Sequence, residues 1–449
     1  MPGATRPTIR SASPAGIHAP IPLPISICRM RKAGGTEDSM RSPMAAPRKP
    51  TVTVIVPTFN REKFLPESIA SLLQQTVAPD QILIVDDGST DNTSAVAASF
   101  PAPVEYYRKE NGGKSTALNF ALKHCTGDFV WIFDDDDVAH PTALERFLAA
   151  FEREPAADFA FGEYARFQQS AQIQEQNYEI VAFGHVSQDN FFPSHLEYCH
   201  VHQPGLLVRR KCYDEVGGFN ETLVRSQDYE MMLRLGRRFK GVRVDGLMFF
   251  QRQHDMVRGS TKVVISYTDR IKAWGSYDRV IMEEVYKSVD LHEYLDRSEQ
   301  ALPKTADLEM QALLQRSSIM ARKGLWHHAA EDIRRYALLA ERAGKTSLSD
   351  KERAIVRRTF EAYDTGLASA PADEFVSAVK AWKSGALRAD IVREYMHSFP
   401  HYLAQDLKAG KVIPASKLLR EYSTLSLSAS VSRLCQAMTS KLPLARSAS

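Results

Sequence analysis

The sequence has few cysteines, no long apolar run and almost no net charge. Its five cysteines are scattered without a Cys-x-x-Cys pair, which is typical of free thiols in a reducing compartment rather than a disulfide framework. No apolar stretch reaches the roughly 18 residues of a spanning helix, and prolines interrupt the partly apolar residues 17–28. A net charge of +3 gives no sign of the excess of basic residues that is typical of nucleic-acid-binding proteins. We expect a cytoplasmic protein, with peripheral contact to the inner face of a membrane left open.

Its 449 residues suffice for two or three domains, each with its own core. Residues 1–50 are rich in Pro, Ala, Ser and Arg, which predicts a disordered basic arm. This arm would either contact anionic lipid or be a dispensable leader. Residues 51–262 alternate strand and helix patterns, whereas residues 263–449 are predicted to be helical. Within the latter, residues 308–344 are weakly similar to a tetratricopeptide hairpin.

Four short apolar runs after residue 50 predict strands with helices between them. These runs are Val52–Val56, Gln81–Val85, Val104–Tyr107 and Phe129–Phe133. Later strands are predicted at Phe159–Phe167, Val242–Val244 and Leu247–Phe250, and helices at Leu308–Lys323, His327–Arg342 and Ala415–Tyr422. Strands that alternate with helices predict an α/β fold with a doubly wound, mostly parallel sheet. In such sheets, ligands bind beyond the carboxyl ends of the strands, near the point where the strand order reverses.

Three of the predicted strands end in polar residues. They are followed by the segments 57–60, Asp86-Asp87 and Asp134–Asp137. Four adjacent carboxylates cannot continue into a core, because buried unpaired charge is costly, and they repel one another unless a cation neutralises them. A hard divalent cation such as Mg²⁺ or Mn²⁺ suits these oxygen ligands and bridges to phosphates. The alternative is a solvated acidic turn.

Six motifs, taken in order, resemble those of the family 2 glycosyltransferases. They are Val54–Asn60, Val85–Asp91, Asn111–Asn119, Phe133–Asp137, Gly217–Asn220 and Gln227–Leu235. The resemblance covers roughly residues 51–260. It implies a GT-A fold with a Rossmann-like, mostly parallel sheet. It also implies a metal-dependent, inverting transfer of a sugar from a nucleotide-diphosphate donor, with uridine as the expected base.

The resemblance assigns roles to individual residues. The residues expected to bind the nucleotide are Pro57, Thr58, Phe59, Asn60, Asp87, Lys114, Asp134 and Asp135. Asp136 and His254 are expected to bind the divalent metal. Asp228 matches the base that accepts a proton from the acceptor hydroxyl. On the residues alone, Asp87 and Asp228 are also typical of helix caps, and His254 is also typical of a structural histidine.

Further residues are expected to contact the substrates. His202 and Gln203 are predicted to border the acceptor pocket, and Arg252 to provide a fixed positive charge. Gln227 stands where the family has a glutamate, which affects how Asp228 is oriented. Residues 194–205 contain several histidines and a cysteine, but the two close ligand pairs of a zinc site are missing, so zinc is not expected.

Three functions compete at this point. The first is sugar transfer to a glycan, lipid-linked or protein acceptor, with polysaccharide assembly expected by analogy. The second is a sugar nucleotidyltransferase, which the lack of glycine in residues 57–60 disfavours. The third is a non-catalytic module that binds nucleotide sugar or scaffolds a protein partner through its C-terminal helices. The joint presence of Asp87, Asp136 and Asp228 argues against such a module.

Overall fold

The computed structural model describes residues 49–254, 258–259, 264–265, 270–359, 373–395 and 397. The predicted arm and the predicted helix at residues 415–422 lie outside the described residues. The strands are Val52–Thr58 (β1), Gln81–Asp86 (β2), Val104–Arg108 (β3), Phe129–Ile132 (β4), Val138–Ala139 (β5), Phe159–Phe167 (β6), Glu179–Val181 (β7), Leu206–Arg209 (β8), Gly241–Arg252 (β9), Arg258–Gly259 (β10) and Val264–Ile265 (β11).

The helices fall into two groups along the chain. Those among the strands are Leu65–Leu73 (α1), Thr93–Ala98 (α2), Lys114–Leu122 (α3), Ala143–Arg153 (α4), Ala171–Gln174 (α5), Phe191–Glu197 (α6), Arg210–Val216 (α7) and Gln227–Arg238 (α8). Those after the strands are Arg270–Ser288 (α9), Arg297–Gln300 (α10), Ala306–Arg322 (α11), Trp326–Arg342 (α12), Asp350–Arg358 (α13), Asp373–Lys380 (α14) and Gly385–Tyr395 (α15). Short 3₁₀ helices occupy Gln203–Gly205 and Leu291–Tyr294.

The first four strands form the parallel half of the main sheet. Its strand order is β3-β2-β1-β4-β8-β6-β9-β5, and β7 pairs with the second half of β6. β1 pairs in parallel with β2 on one side and with β4 on the other, and every residue of β1 is buried. Because the chain runs outward to β3 and then returns to β4, the strand order reverses between β1 and β4. A ligand crevice is therefore expected at the carboxyl ends of these two strands.

The second half of the sheet is mixed. β8 lies antiparallel to both β4 and β6, whereas β6 and β9 are parallel. The sequence predicted two separate closing strands at 242–244 and 247–250, but β9 is continuous. Its pairing with β6 shifts register next to Gly162, and Gly246 adopts a left-handed φ of 88°. The α/β fold class with a helical C-terminal region is confirmed.

The helices α11 and α12 lie close to their predicted bounds. Gly324 separates them with a φ of 73°, a backbone conformation that glycine adopts without steric cost after a helix. In α11 the buried residues include Met310, Leu313 and Leu314, which join a core shared with α9 and α12. Within the described residues, no helix is both long enough and apolar enough to cross a membrane.

Candidate active site

Backbone hydrogen bonds bring the predicted strand ends together. The N–H of Asp87 donates to the carbonyl of Thr58 at 2.9 Å, and the N–H of Phe133 donates to the carbonyl of Ile55 at 2.8 Å. The hydroxyl of Ser68, on α1, donates to the carbonyl of Asp134 at 3.1 Å. The three polar segments therefore lie along one edge of the sheet, at the point where the strand order reverses.

The two adjacent aspartates after β2 have different surroundings. Asp86 accepts hydrogen bonds from the N–H of Ser89 at 2.7 Å and from the hydroxyl of Tyr106 at 2.8 Å, so it braces the turn. Asp87 accepts from the N–H of Gly112 at 3.0 Å and from the N–H of Gly113 at 2.6 Å. Asp87 is thus the acid that faces the turn before α3.

Lys109 also reaches Asp87, with its ammonium 2.7 Å from a carboxylate oxygen. Sequence reasoning missed Lys109, because it lies before the motif that begins at Asn111. The side chain of Asn111 donates to the carbonyl of Asp87 at 2.7 Å. In this structure, the carboxylate expected to meet the nucleotide base therefore holds the turn at residues 111–113. Its role toward a base stays a prediction.

Asn60 connects the ends of β1 and β2. Its backbone has a φ of 52°, a left-handed conformation that asparagine tolerates better than most residues. Its side-chain oxygen accepts from the N–H of Thr90 at 2.8 Å, and its own N–H donates to the hydroxyl of Ser89 at 2.9 Å. These bonds fix the segment that was predicted to line the nucleotide.

The acidic run after β4 is largely enclosed. Asp135, Asp136 and Asp137 are buried, and Arg61 lies beside them, with its Nε 3.6 Å from Asp135 and 4.0 Å from Asp136. Burial raises the pKa of Asp135; Arg61 opposes this effect, and the neighbouring charge of Asp136 adds to it. Sequence reasoning also missed Arg61, although it directly follows the first motif. A cluster of this kind favours the binding of a further positive charge.

The two residues predicted to bind metal are in contact. Nε2 of His254 lies 2.9 Å from Oδ2 of Asp136, and the His254 ring packs 4.9 Å from the ring of Phe64. Two ligands at right angles, each about 2.1 Å from an ion, lie about 3 Å apart. A carboxylate and an imidazole at this spacing fit a divalent cation, with the remaining positions left to water and phosphate oxygens.

Arg252 stabilises the acidic run through hydrogen bonds. Its N–H donates to the carboxylate of Asp137 at 2.9 Å, and its Nε donates to the carbonyl of Asp136 at 2.9 Å. The guanidinium also pairs with Glu67 at 2.5 Å and lies 4.5 Å from the ring centroid of Phe167. Through these contacts with the protein, Arg252 orients Asp136 and Asp137. Its predicted contact with substrate stays a prediction.

Lys114 connects the acidic run to Asp228. Its ammonium lies 2.5 Å from a carboxylate oxygen of Asp134. Burial lowers the pKa of Lys114, but the charges of Asp134, Asp228 and Asp136 outweigh this effect, and the net pKa is raised. The acids that follow β4 and the acid on α8 therefore both act on the ammonium of Lys114, the first residue of α3.

Asp228 lies in the first turn of α8 and is partly exposed. Its Oδ1 accepts from the N–H of Tyr229 at 2.9 Å. His202 lies in the same region, because the charges of Asp228 and Asp134 act on it, although burial lowers its pKa overall. Nε2 of His202 is 3.1 Å from the hydroxyl of Tyr164. The charge of the predicted base thus acts on a residue that is predicted to bind the acceptor.

Gln203 and Gln227 are buried glutamines with unsatisfied oxygens. Each is 6% exposed, and the side-chain oxygen of each has no hydrogen-bond partner among the residues that the structure describes. A buried acceptor without a donor is costly, on the order of 1–3 kcal/mol. Both oxygens are therefore available to a donor group on a bound molecule.

The histidine segment before β8 is structural in part. His195 is fully buried, with Nδ1 2.7 Å from the carbonyl of Phe191 and Nε2 3.3 Å from the N–H of Val201. Both of its ring nitrogens are therefore occupied by backbone groups. This arrangement leaves His195 no nitrogen for zinc, in keeping with the expectation from the sequence.

A comparison with protein families supports the resemblance read from the motifs. Residues 53–217 match the family model described as Glycosyl transferase family 2, which confirms the resemblance over this segment. The match ends before Asp228, Arg252 and His254. The contacts described above place Arg252 and His254 beside the matched segment.

Two relatives of known sequence are similar to part of this chain. The chain is 26% identical over 257 residues to an uncharacterized glycosyltransferase of Rickettsia felis, covering 55% of this chain and 41% of that protein. It is 26% identical over 192 residues to a chondroitin synthase of Escherichia coli, covering 42% of this chain and 27% of that protein. The chain thus spans less than half the length of either relative.

A solved structure of low overall similarity is that of Staphylococcus aureus TarS, residues 1–349, in complex with UDP-GlcNAc. Its sequence is 17% identical to this chain and the TM-score is 0.44. The match covers 75% of this chain and 92% of that chain.

Proposed function

Since residues 53–217 match glycosyl transferase family 2, we propose that this protein transfers a sugar from a nucleotide-diphosphate donor to an acceptor hydroxyl, with inversion at the sugar. The observation that carries the proposal is a pair of contacts in the acidic run: Lys114 lies 2.5 Å from Asp134, and His254 lies 2.9 Å from Asp136. The charge of Asp228, in the first turn of α8, also acts on Lys114. Asp134 and Asp136 directly follow β4, at the point where the strand order of the sheet reverses. This is the position where α/β sheets bind ligands.

Asp136 and His254 are the proposed ligands of a divalent cation, Mg²⁺ or Mn²⁺. Their 2.9 Å contact and the enclosure of the acidic run support this assignment. When bound, such an ion neutralises charge that gathers on the departing diphosphate. Asp134 and Asp135 are proposed to lie near the ribose and the waters of the ion, and Lys114 to contact the diphosphate.

Asp228 is proposed to accept the proton of the acceptor hydroxyl. A base must lie within hydrogen-bond reach of that hydroxyl, on the face of the sugar opposite the leaving group. Asp228 is partly exposed, stands at the start of a helix and acts electrostatically on Lys114 and His202. It is therefore more accessible than Asp135, Asp136 and Asp137, which are enclosed.

The base of the donor is proposed to be uracil, held by Asp87 and by the segment 57–60. Asp87 would exchange part of its present bonding to Gly112, Gly113 and Lys109 for a hydrogen bond to the base. The nucleotide would thus compete with the turn before α3. This exchange predicts that nucleotide binding and the position of Lys114 are linked.

The acceptor is proposed to be a hydroxylated molecule of a glycan or a lipid-linked sugar. The unsatisfied oxygens of Gln203 and Gln227 require donors, which sugar hydroxyls provide, and the charge of Asp228 acts on His202. One relative is a chondroitin synthase, which favours a role in polysaccharide assembly. We place the reaction in the cytoplasm, at the inner face of a membrane where such acceptors gather.

The test is calorimetric titration of UDP with and without Mn²⁺, followed by a screen of nucleotide sugars for slow donor hydrolysis. We expect UDP binding to require the ion, and Asp228→Asn to lose hydrolysis while it keeps UDP affinity. Asp245→Asn, which changes an exposed aspartate on β9, is the control and keeps both. Ion-dependent binding without turnover of any donor would instead indicate a non-catalytic module.

A further inference from the structure

The helix that carries Asp228 belongs to two cores. On α8, Met231 and Met232 pack into the core around the sheet. Tyr229 and Leu233 pack into the second core, which is formed mainly by the C-terminal helices. The helix therefore lies between the two parts of the molecule, and a change in either core acts on its position.

The residue before α8 is held by the C-terminal helices. Ser226 is buried and has a φ of 58°, a left-handed conformation that is sterically unfavourable for a residue other than glycine. Its hydroxyl donates to Oδ1 of Asp278, on α9, at 2.8 Å. The second oxygen of Asp278 pairs with Lys323, at the end of α11, at 3.0 Å. This network stabilises a strained start of the helix.

Lys323 also contacts the residue that follows Asp228. Its ammonium lies 4.6 Å from the ring centroid of Tyr229, and its side chain is only 10% exposed. The hydroxyl of Tyr229 is 3.3 Å from the carbonyl of Leu196. Asp278 and Lys323 thus hold residues on both sides of Asp228, without touching the crevice acids in any contact described above.

The other end of α8 is held in the same way. Arg237 forms a two-point ion pair with Glu293, with nitrogen–oxygen distances of 2.7 and 2.8 Å. The guanidinium of Arg297 donates to the carbonyls of Gly236 at 2.8 Å and Phe239 at 2.5 Å, at the end of the helix. Charged residues after α8 therefore fix both of its ends.

We infer that Asp278 and Lys323 are positioning residues for Asp228, and that the C-terminal helices form part of the transfer apparatus. The inference rests on the proposed function. A base that moves by about 1 Å can lose up to about 100-fold in rate, because the acceptor hydroxyl leaves hydrogen-bond reach. The network around Ser226 sets the direction of the first turn of α8, and hence the place of the Asp228 carboxylate.

The experiment compares Asp278→Asn and Lys323→Met with a control that breaks an exposed ion pair in the same helices. Arg334→Gln serves as the control, because Arg334 and Glu374 pair at 3.0 Å with both side chains about half exposed, and neither is in contact with α8 in the bonds described. We expect kcat to fall about tenfold in both test variants, with the donor KM and the UDP affinity unchanged. Lys323→Arg, which keeps the charge, restores most of kcat.

Hydrogen exchange of the amides at residues 229–232 provides a readout independent of turnover. We expect faster exchange there in Asp278→Asn and Lys323→Met, and wild-type exchange in Arg334→Gln. If Asp278→Asn does not fold, Ser226→Gly removes the same hydrogen bond while it relieves the left-handed strain, and the same fall in kcat is expected.

The outcomes separate the inference from the function on which it rests. Unchanged exchange, or faster exchange with a wild-type kcat, overturns the positioning role. An equal loss of UDP affinity and kcat overturns it as well, because this would show a general structural defect. A wild-type protein that turns over no donor overturns the proposed function itself, whatever the exchange shows.

Discussion

Nε2 of His254 lies 2.9 Å from Oδ2 of Asp136, although 118 residues separate them in the chain. The contact joins the loop after β4 to the end of β9, on the two sides of the crevice. Arg252, two residues before His254, holds the backbone of Asp136 from below. β9 and the residues that follow it therefore bring both the proposed metal ligand His254 and the supporting Arg252 to the acidic run.

Removal of either partner of this contact should weaken ion-dependent nucleotide binding. We expect Asp136→Asn and His254→Gln to lower the affinity for UDP in the presence of Mn²⁺ by roughly 10- to 100-fold, because each variant loses one ligand of the ion. Titration of Mn²⁺ at fixed UDP measures the effect. His397→Gln, at an exposed histidine of the C-terminal helices, should bind as the wild type does.

Loss of Arg252 should lower the stability of the fold. Arg252→Gln removes the buried guanidinium that pairs with Glu67 and donates to the carbonyl of Asp136, so we expect the free energy of unfolding to fall by about 2–4 kcal/mol. Urea denaturation measures this change. The control is Arg238→Gln, whose ion pair with Glu215 is about half exposed, and its effect should stay within about 1 kcal/mol. Equal effects of the two variants would contradict the bracing role of Arg252.

Two histidines before β8, the buried His195 and the half-buried His200, should make stability depend on pH. Burial lowers the pKa of His195 from 6.5 to about 4 and that of His200 to about 3. Between pH 6.5 and about 4, the unfolded chain binds protons at these sites that the folded chain does not. The free energy of unfolding should therefore have its full value above pH 6.5. It should fall as the pH drops, by up to about 1.4 kcal/mol per pH unit for each site.

His195→Gln tests this pH dependence. The variant removes one of the two titrating groups, so its free energy of unfolding should fall less steeply between pH 6.5 and 4 than that of the wild type. Urea denaturation at a series of pH values provides the slope. A slope equal to that of the wild type would show that His195 is not held neutral by its contacts with Phe191 and Val201.

Two glycines should respond in opposite ways to alanine. A Cβ on Gly127 would lie 2.5 Å from the backbone nitrogen of Thr53, so Gly127→Ala should destabilise the fold by about 1–3 kcal/mol through strain between β1 and β4. A Cβ on Gly275, within α9, meets nothing within 4 Å. Gly275→Ala should therefore stabilise the protein by up to about 1 kcal/mol, because alanine favours helix. Thermal unfolding of both variants shows the sign of each change.

Much of the parallel half of the sheet follows from local sequence. Val52–Val56 and Phe129–Phe133 are continuous apolar runs that end in polar residues, and the strand pattern at Phe159–Phe167 agrees with β6 to the residue. β9 was divided in two because Gly246 has the local pattern of a turn. Its pairing with β6 continues across that glycine, and this pairing depends on residues about 80 positions away.

The site was predictable only where a motif marked it. The resemblance pointed to Asp136, His254 and Asp228, and the structure brings Asp136 and His254 into contact. Lys109 and Arg61 were missed, because a lone basic residue beside a motif has no distinctive pattern. The hydrogen bond between Ser226 and Asp278 could not be predicted from local sequence either, because it depends on how α9 packs against α8.

The most direct test is the anomalous scattering of Mn²⁺ in crystals grown with UDP. We expect one ion between Asp136 and His254, with the diphosphate beside it and the carboxylate of Asp228 facing the same crevice. An ion elsewhere would contradict this expectation. One such place among the described residues is the group of Glu283, His327 and His328, whose potential ligand atoms lie within 4.8 Å of one another.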